Sequence, residues 1–184
     1  SLKTIGSRAF SRTGLTSITI PASVYRIGSE AFATGSLTSV VWNAKNCESV
    51  SELFGVSAVT SASNNNIIDV VFGDSVEHIP AYLFMRSKHI KEVTIPNSVH
   101  TIGEGAFSNC DSLTSVTLGN SVTTIDRIAF VDCSSLKEIV IPNSVTNIGE
   151  NAFCRCSSLM SVTIGDKLTN IATSLFRECT SLAS

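Results

Sequence analysis

Apolar residues recur along this chain at a nearly constant interval, which the phenylalanines show most clearly. Eight of the nine phenylalanines are separated by 22, 22, 30, 23, 23, 23 and 23 residues: Phe10, Phe32, Phe54, Phe84, Phe107, Phe130, Phe153 and Phe176. The clearest unit fills its other apolar positions with Val99, Ile102, Ala106, Cys110, Leu113, Val116 and Leu118. One unit is too short to bury these positions alone. We therefore predict that the units stack into a solenoid, in which equivalent positions form continuous internal columns.

The end of each unit has the pattern of a β-strand. Polar and apolar residues alternate from Ser115 onward, which predicts that Val116 and Leu118 point inward and Thr117 outward. Equivalent strands should be parallel and about 4.8 Å apart, because every unit runs in the same direction. The short stretch 103–110 is predicted to form a single helical or 3₁₀ turn. The predicted fold class is an α/β solenoid of about eight 22–23-residue repeats, with a parallel β-sheet on one face and short helical or 3₁₀ turns and loops on the other.

The third repeat is irregular. Residues 43–53 fit the repeat poorly, and seven extra residues follow Phe54 before the pattern resumes at Ile67. The insertion lies at about 56–66, a segment rich in Ser, Ala and Asn, which predicts an exposed loop. Because the repeat continues on both sides of this loop, we predict one solenoid domain spanning residues 1–184.

The repeat has two recurring motifs, Ile102-Gly103-x-x-Ala106-Phe107-x-x-Cys110-x-x-Leu113-x-x-Val116-x-Leu118 and the turn Ile141-Pro142-Asn143-Ser144-Val145. On these residues it resembles the leucine-rich repeat, and more narrowly the BspA-like family of such repeats. The resemblance covers nearly the whole chain. It implies a cell-surface or secreted protein, often adhesive, that binds host proteins or other cells. The family has no shared catalytic residues to carry over, so no enzymatic activity is implied.

Composition and charge exclude several classes of partner. Charged residues make up 15% of the chain, against about 25% in typical soluble domains, and the formal net charge is −2. A basic face for nucleic acid is therefore not expected. No stretch approaches the roughly 18 consecutive apolar residues that a membrane span needs, so we expect no membrane insertion. The first residues do not have the pattern of a signal peptide.

The two ends of the sequence lack polar capping repeats, which solenoids need for solubility. Leu2 occupies the first apolar position of a unit, and Leu182 belongs to a unit whose strand is absent. We therefore expect the chain to be a fragment of a longer array, or a solenoid that associates end to end.

Four of the six cysteines share one inward column: Cys110, Cys133, Cys156 and Cys179. Thr13 and Ser87 occupy the same column, so the position favours a small side chain and the four are predicted to be buried free thiols. A disulfide between neighbouring repeats stays open as an alternative. Cys154 is predicted to point outward and Cys47 lies in the irregular repeat, so these two are expected to be the reactive thiols. Cys154 and Cys156 lack the spacing of a zinc site, and we expect no metal.

The sequence contains no motif that predicts catalysis or a cofactor. The three histidines fall in different columns and are predicted to be surface residues: His78, His89 and His100. No phosphate-binding, dinucleotide-binding or serine-hydrolase motif is present. We therefore predict a protein that is not an enzyme and that binds no cofactor.

The aromatic residues outside the regular column have mixed expectations. Trp42 and Phe72 occupy inward strand positions and are predicted to lie in the core. An exposed, partner-binding Trp42 stays open, because it lies beside the irregular repeat. Tyr25 and Tyr82 fall between inward positions and are predicted to present their rings at the surface.

The surface left for function is the outward face of the predicted sheet. It combines β-branched residues with a few carboxylates, and repeat solenoids use such extended surfaces to bind partners. The insertion breaks the symmetry of the array, so it is a second candidate. The predicted binding residues are Asp69, Val71, Glu92, Thr94, Ser115, Thr117, Glu138, Val140, Ser161 and Thr163 on the sheet, and Asn64, Asn65 and Asn66 in the loop. The main hypothesis is a protein-binding or adhesion module, with a glycan as an alternative ligand. The rival is a structural spacer with no ligand of its own.

Overall fold

The structure is a computed structural model, which describes residues 1–34, 36–47, 53–54 and 66–183. Its described part contains thirteen short strands. In chain order they are β1 (Thr4–Ile5), β2 (Ser17–Ile20), β3 (Arg26–Ile27), β4 (Ser39–Trp42), β5 (Asp69–Phe72), β6 (His78–Ile79), β7 (Glu92–Thr94), β8 (Thr101–Ile102), β9 (Ser115–Thr117), β10 (Thr124–Ile125), β11 (Glu138–Ile141), β12 (Asn147–Ile148) and β13 (Ser161–Ile164).

The longer strands form the predicted parallel face of a solenoid. Each of these strands pairs with its equivalent in at least one neighbouring repeat: Val93 lies beside Val116, and Ile139 beside Val162. This face consists of three hydrogen-bonded groups, β2-β4-β5, β7-β9 and β11-β13. β5 contacts β7 and β9 contacts β11, but the two members of each pair belong to separate hydrogen-bonded groups. The described face is therefore continuous in packing and interrupted twice in strand pairing.

A second parallel sheet was not predicted. It is built from two-residue strands in the order β12-β10-β8-β6, with β1 and β3 forming a separate pair. Each of these strands ends on a buried isoleucine of the repeat, such as Ile102 or Ile125. Two residues are too few to show a polar–apolar alternation, so the sequence pattern could not reveal these strands.

The back of the solenoid is made of turns where a helical or 3₁₀ turn was predicted. The amides of Ala106 and Ser108 donate within their own turn, to the carbonyls of Gly103 and Gly105. The amides of Gly105, Phe107 and Asn109 donate instead to carbonyls of the next repeat. These bonds are Gly105 N to Arg127 O (3.2 Å), Phe107 N to Ala129 O (2.9 Å) and Asn109 N to Val131 O (2.8 Å). The alternation places Gly105 and Asn109 in the left-handed region, both with φ of 58°, which a regular helix does not contain.

The phenylalanines form the predicted column through the core. Successive ring centroids lie 5.3–6.1 Å apart, from Phe10 to Phe176. The rings of Phe130 and Phe153 are nearly parallel, at 2°. Trp42 is fully buried. Phe72 is also buried, and its ring makes an edge-to-face contact with the ring of Phe84, so both predicted core positions are confirmed.

The cysteine column is buried and free of disulfides, as predicted. Each thiol donates a hydrogen bond to the carbonyl of a phenylalanine in the preceding repeat, as Cys133 does to Phe107 O at 3.2 Å. Burial raises the pKa of the Cys110 thiol to about 12. The expectation for the other two cysteines is wrong, because Cys154 and Cys47 are also buried. The equivalent positions of the two preceding repeats, Ser108 and Val131, are buried as well, so this position of the repeat points inward.

Candidate partner-binding face

The outward columns of the longer strands form the candidate binding face, called here the sheet face. Alternation along each strand directs Val116 and Ile139 into the core and leaves their neighbours outside. Of the ten predicted residues, nine are exposed and Ser161 is half-buried. One column contains Asp69, Glu92, Ser115, Glu138 and Ser161, and the other contains Val71, Thr94, Thr117, Val140 and Thr163.

Equivalent residues of neighbouring strands lie side by side on the sheet face. Within the paired groups, Val41 lies beside Val71, Thr94 beside Thr117, and Glu138 beside Ser161. The sheet face therefore presents two parallel lines of side chains, which run along the solenoid axis at the spacing of its strands.

The sheet face exposes large aliphatic side chains. Val71 is 55% exposed and Val140 is 60% exposed, both in the second outward column. Ile68, just before β5, is 48% exposed. Single exposed aliphatics are common on proteins. Here they lie at two places on one face, beside the two interruptions in strand pairing.

Several grooves lie on the part of the sheet face that the structure describes. A groove of about 420 Å³ lies between β5 and β7, and it is lined by Ile68, Asp69, Val70, Val71, Lys91 and Glu92. A second groove, of about 260 Å³, lies between β9 and β11 and includes Asn120, Glu138, Val140 and Pro142. A third, of about 540 Å³, adjoins it at the ends of β11 and β13 and reaches Asp166. The first two coincide with the interruptions in strand pairing.

The charged residues that line these grooves are mainly acidic. Four are carboxylates, namely Asp69, Glu92, Glu138 and Asp166, and one is Lys91. None of the four carboxylates forms an ion pair with any residue of the described ranges. The sequence alone did not single out Ile68, Lys91, Asn120 or Asp166, because they lie outside the alternating part of the strands.

Three carboxylates among the described residues on the back of the solenoid pair with an arginine of a neighbouring repeat. Glu30 accepts from Arg8 at 2.9 Å, and Glu104 accepts from Arg127 at 2.7 Å. Asp132 accepts from both Nε and Nη2 of Arg155, with Nε at 2.6 Å from Oδ1. Glu30, Glu104 and Asp132 therefore link repeats on the back, whereas Asp69, Glu92 and Glu138 face solvent on the sheet face.

Tyr82 belongs to one of these links on the back. Its hydroxyl donates a hydrogen bond to Glu104. Its ring packs against Gly105, where an added Cβ would lie only 2.7 Å from Cδ1 of Tyr82. The side chain is half-buried, so the expectation of a ring presented at the surface holds only in part. The hydrogen bond from Arg127 is the main cause that lowers the pKa of Glu104, and burial is the main cause that raises the pKa of Tyr82. Tyr82, Glu104 and Arg127 therefore tie three repeats together.

Asparagines beyond the strand ends also serve the backbone. Asn97 Oδ1 accepts from the amide of Asn120 at 2.7 Å, and Asn143 Oδ1 accepts from the amide of Asp166 at 2.9 Å. Both asparagines follow a proline, the turn signal of the repeat. The residues predicted for the loop are largely out of view: Asn64 and Asn65 lie outside the described residues, while Asn66 is exposed. A contribution of this loop stays a prediction.

The described residues also bear on other kinds of site. Within the described ranges, no group of three or more His, Cys, Asp or Glu side chains could hold a metal ion. The three histidines are exposed, as predicted. Among the described residues, no helix is long and apolar enough to cross a membrane.

The stacked repeats and their parallel face define the chain as a leucine-rich repeat solenoid. The sequence model of the BspA type Leucine rich repeat region matches residues 1–63 and 59–183 in six copies, fewer than the eight or so units predicted from the phenylalanines. The chain therefore belongs to the BspA-type leucine-rich repeat family. No curated protein matches it.

Solved structures agree with this assignment. The chain is 31% identical to a leucine-rich cell surface protein from Faecalibacterium prausnitzii, with a TM-score of 0.66 over 99% of this chain and 50% of that one. It is 33% identical to a leucine-rich repeat protein of T. pallidum, with a TM-score of 0.58 over 59% of this chain and 50% of that one. The pneumococcal vaccine antigen PcpA shares the fold at 18% identity, with a TM-score of 0.54 over 98% of this chain and 58% of that one. The chain thus spans about half the length of the first two.

Proposed function

We propose that this chain is a protein-binding or adhesion module of a cell-surface or secreted protein, and that it binds its partner through the sheet face. Membership of the family indicates a protein-interaction or surface module. The observation that carries the finer proposal is the combination, on this one face, of exposed Val71 and Val140, grooves between strands and carboxylates with no partner among the described residues. Such a surface can both pack against a partner and pair with its charges.

The test compares sheet-face variants with a variant on the second sheet. Three variants place a long charged side chain on the sheet face without entering the core: Thr94→Lys, Thr117→Lys and Val140→Lys. The control, Asn147→Lys, places the same side chain at the exposed position of β12 on the second sheet. We expect the first three to reduce binding of the labelled chain to host cells or matrix proteins, and Asn147→Lys to leave it unchanged. Circular dichroism checks that each variant folds. Equal binding by all variants would show that the sheet face is not the binding surface.

The same assay separates a binding module from a spacer. A folded wild-type chain that binds no cell or matrix preparation would support the structural spacer. Protease treatment of the target cells distinguishes the two ligand classes, because it removes a protein partner and leaves glycans of lipids in place. We favour a protein, since the grooves offer aliphatic side chains and carboxylates.

A surface location and the absence of catalysis are parts of the same proposal. The cell-surface name of the F. prausnitzii relative supports the location. It is tested by antibody labelling of intact cells that express the full-length protein, with permeabilised cells as the control. Leucine-rich repeats are a non-enzymatic fold class. A turnover lost on replacing one histidine or cysteine, with the fold retained, would contradict this part of the proposal.

We also propose that the 184-residue chain can associate end to end. Its last repeat leaves apolar positions open to solvent, with Ile164 and Ile171 exposed and Val162 half-buried. Light scattering across a concentration series is expected to show a mass that rises with concentration, and Ile171→Asp is expected to reduce the rise. A constant monomeric mass at every concentration would contradict the association.

A further inference from the structure

We propose that the partner of the sheet face is an extended basic segment of a protein, whose lysine or arginine side chains occupy the grooves beside Val71 and Val140. This inference rests on the proposed function, because it names the chemistry of the partner for that same face. It is supported by the position of the grooves, the charges that line them and the spacing between them.

The two grooves between strands repeat one arrangement. In the first, exposed Val71 lies beside the carboxylates of Asp69 and Glu92. In the second, exposed Val140 lies beside the carboxylate of Glu138. Each groove therefore offers an aliphatic surface next to a negative charge. A lysine or arginine side chain fits this pair, because its methylene stem packs on apolar surface while its charged head reaches an acceptor.

The carboxylates are available to a partner. Elsewhere in the described chain, acidic residues such as Glu104 and Asp132 are already paired with an arginine of the next repeat. Asp69, Glu92 and Glu138 are exposed and form no ion pair with a described residue. Basic groups of a partner would pair with these charges without displacing an existing bond, and their approach would be favoured over that of acidic groups.

The spacing of the grooves limits the conformation of the partner. Asp69 on β5 and Glu138 on β11 are three strands apart, and three steps at the spacing of paired strands set a lower bound of about 14 Å along the solenoid axis, since two of the steps are unpaired. An extended chain advances about 13 Å between residues i and i+4, and these two side chains point to the same side. A segment lying across the strands can thus place basic residues at i and i+4 in the two grooves at once.

Lys91 allows a test of whether the charge of the partner is positive. It lines the first groove together with Glu92 and is exposed. Its positive charge opposes a basic partner, so removing it should strengthen binding while removing the carboxylates should weaken it. Both effects should decrease with added salt, because the charges are exposed to solvent.

The experiment selects peptides from a display library of random dodecapeptides on the folded wild-type chain. We expect the enriched peptides to be basic and to carry Lys or Arg at positions i and i+4. Fluorescence anisotropy with one enriched peptide then measures the variants. Asp69→Asn, Glu92→Gln and Glu138→Gln are each expected to weaken binding about two- to fivefold, and the triple variant by about tenfold or more. Lys91→Gln is expected to strengthen it about twofold.

Glu150→Gln is the matched control, because Glu150 is an exposed carboxylate on the back that forms no ion pair with a described residue. It should leave the affinity unchanged. Enrichment of acidic or uncharged peptides, or equal binding by the triple variant, would overturn the inference. Self-association of the wild type that disappears in the triple variant would assign the face to a second copy of the chain and would also overturn it.

The basic partner and the proposed function can fail separately in this experiment. Some peptides could fail to bind Thr117→Lys and yet keep their affinity for the triple variant. This result would contradict the basic partner but retain the sheet face as a binding surface. Peptides that bind Thr117→Lys and wild type equally would contradict both. A library that yields no peptide dependent on the sheet face would also contradict both.

Discussion

At the scale of single residues, neighbouring repeats approach each other so closely that the side chain at some positions is set by the backbone of the adjacent repeat. Gly103 lies against the preceding repeat, where a Cβ would stand 2.7 Å from both Ala81 N and Ile79 O. These atoms belong to the backbone and cannot move aside as a flexible side chain could. Gly14, by contrast, has no heavy atom within 4 Å of where its Cβ would be.

Gly103→Ala is therefore expected to lower the free energy of unfolding by about 1–3 kcal/mol, as overpacked sites do. Gly14→Ala is the control and should change it by less than about 0.5 kcal/mol, as surface substitutions do. Urea denaturation followed by circular dichroism measures both. Equal stability of the two variants would show that the close approach at Gly103 is relieved without cost.

At the scale of elements, the repeat is held by columns that cross from one unit to the next. The phenylalanine column is visible in the sequence because its interval is regular. The left-handed positions of the back are not, because most are occupied by residues that do not signal such a conformation, such as Arg8, Tyr82 and Ile128. Hydrogen bonds to the next repeat hold these residues in place, so only the stacked structure reveals them.

The phenylalanine column predicts a gradient of stability along the solenoid. Phe130 is fully buried between Phe107 and Phe153, whereas Phe10 is half-buried and, among the described residues, stacks only on Phe32. Phe130→Ala should cost about 3–5 kcal/mol of unfolding free energy. Phe10→Ala should cost clearly less, because less of the ring leaves the core. Thermal and urea unfolding measure the difference, and equal losses at both positions would contradict it.

The link between Glu104 and Arg127 predicts a dependence on pH. The hydrogen bond from Arg127 lowers the pKa of Glu104 in the folded state. Its contribution is therefore present above the unfolded pKa of about 4.3 and is lost as the pH falls through the lower, folded value. The stability difference between wild type and Glu104→Gln should be constant near neutral pH, at about 1 kcal/mol or less, and shrink below about pH 4. Arg127→Gln should remove the same dependence, and a difference that grows on acidification would contradict the assignment.

At the scale of the whole molecule, the core is a continuous stack, and its ends are less protected than its middle. Cys133 is fully buried between repeats, whereas Cys179 lies in the last described repeat, beside residues that are exposed. Stability in a solenoid is a sum over repeats and their interfaces, so local opening is easier at an end than in the middle.

We therefore expect thiol labelling in native buffer to be slow and to follow an order. Cys179 should react first, while Cys133 and Cys154 should react only at the rate of unfolding, because both are buried and burial raises their pKa. Mass spectrometry of labelled peptides over time measures the order, and a urea series provides the fully reactive control. Rapid labelling of Cys154 in the folded chain would restore the outward placement that the sequence suggested.

The sequence by itself determined the period, the inward columns and the outward face, since a side chain that repeats every 23 residues must meet its own equivalent in the stack. The alternation within each strand was therefore enough to assign ten of the thirteen predicted binding residues to the sheet face. The tertiary structure decided the features in which individual repeats differ, because the repeat period carries no information about them. The interruptions between β5 and β7 and between β9 and β11, and the grooves beside them, depend on how particular repeats pack. These features arise from contacts between different repeats, which a repeating pattern describes only on average.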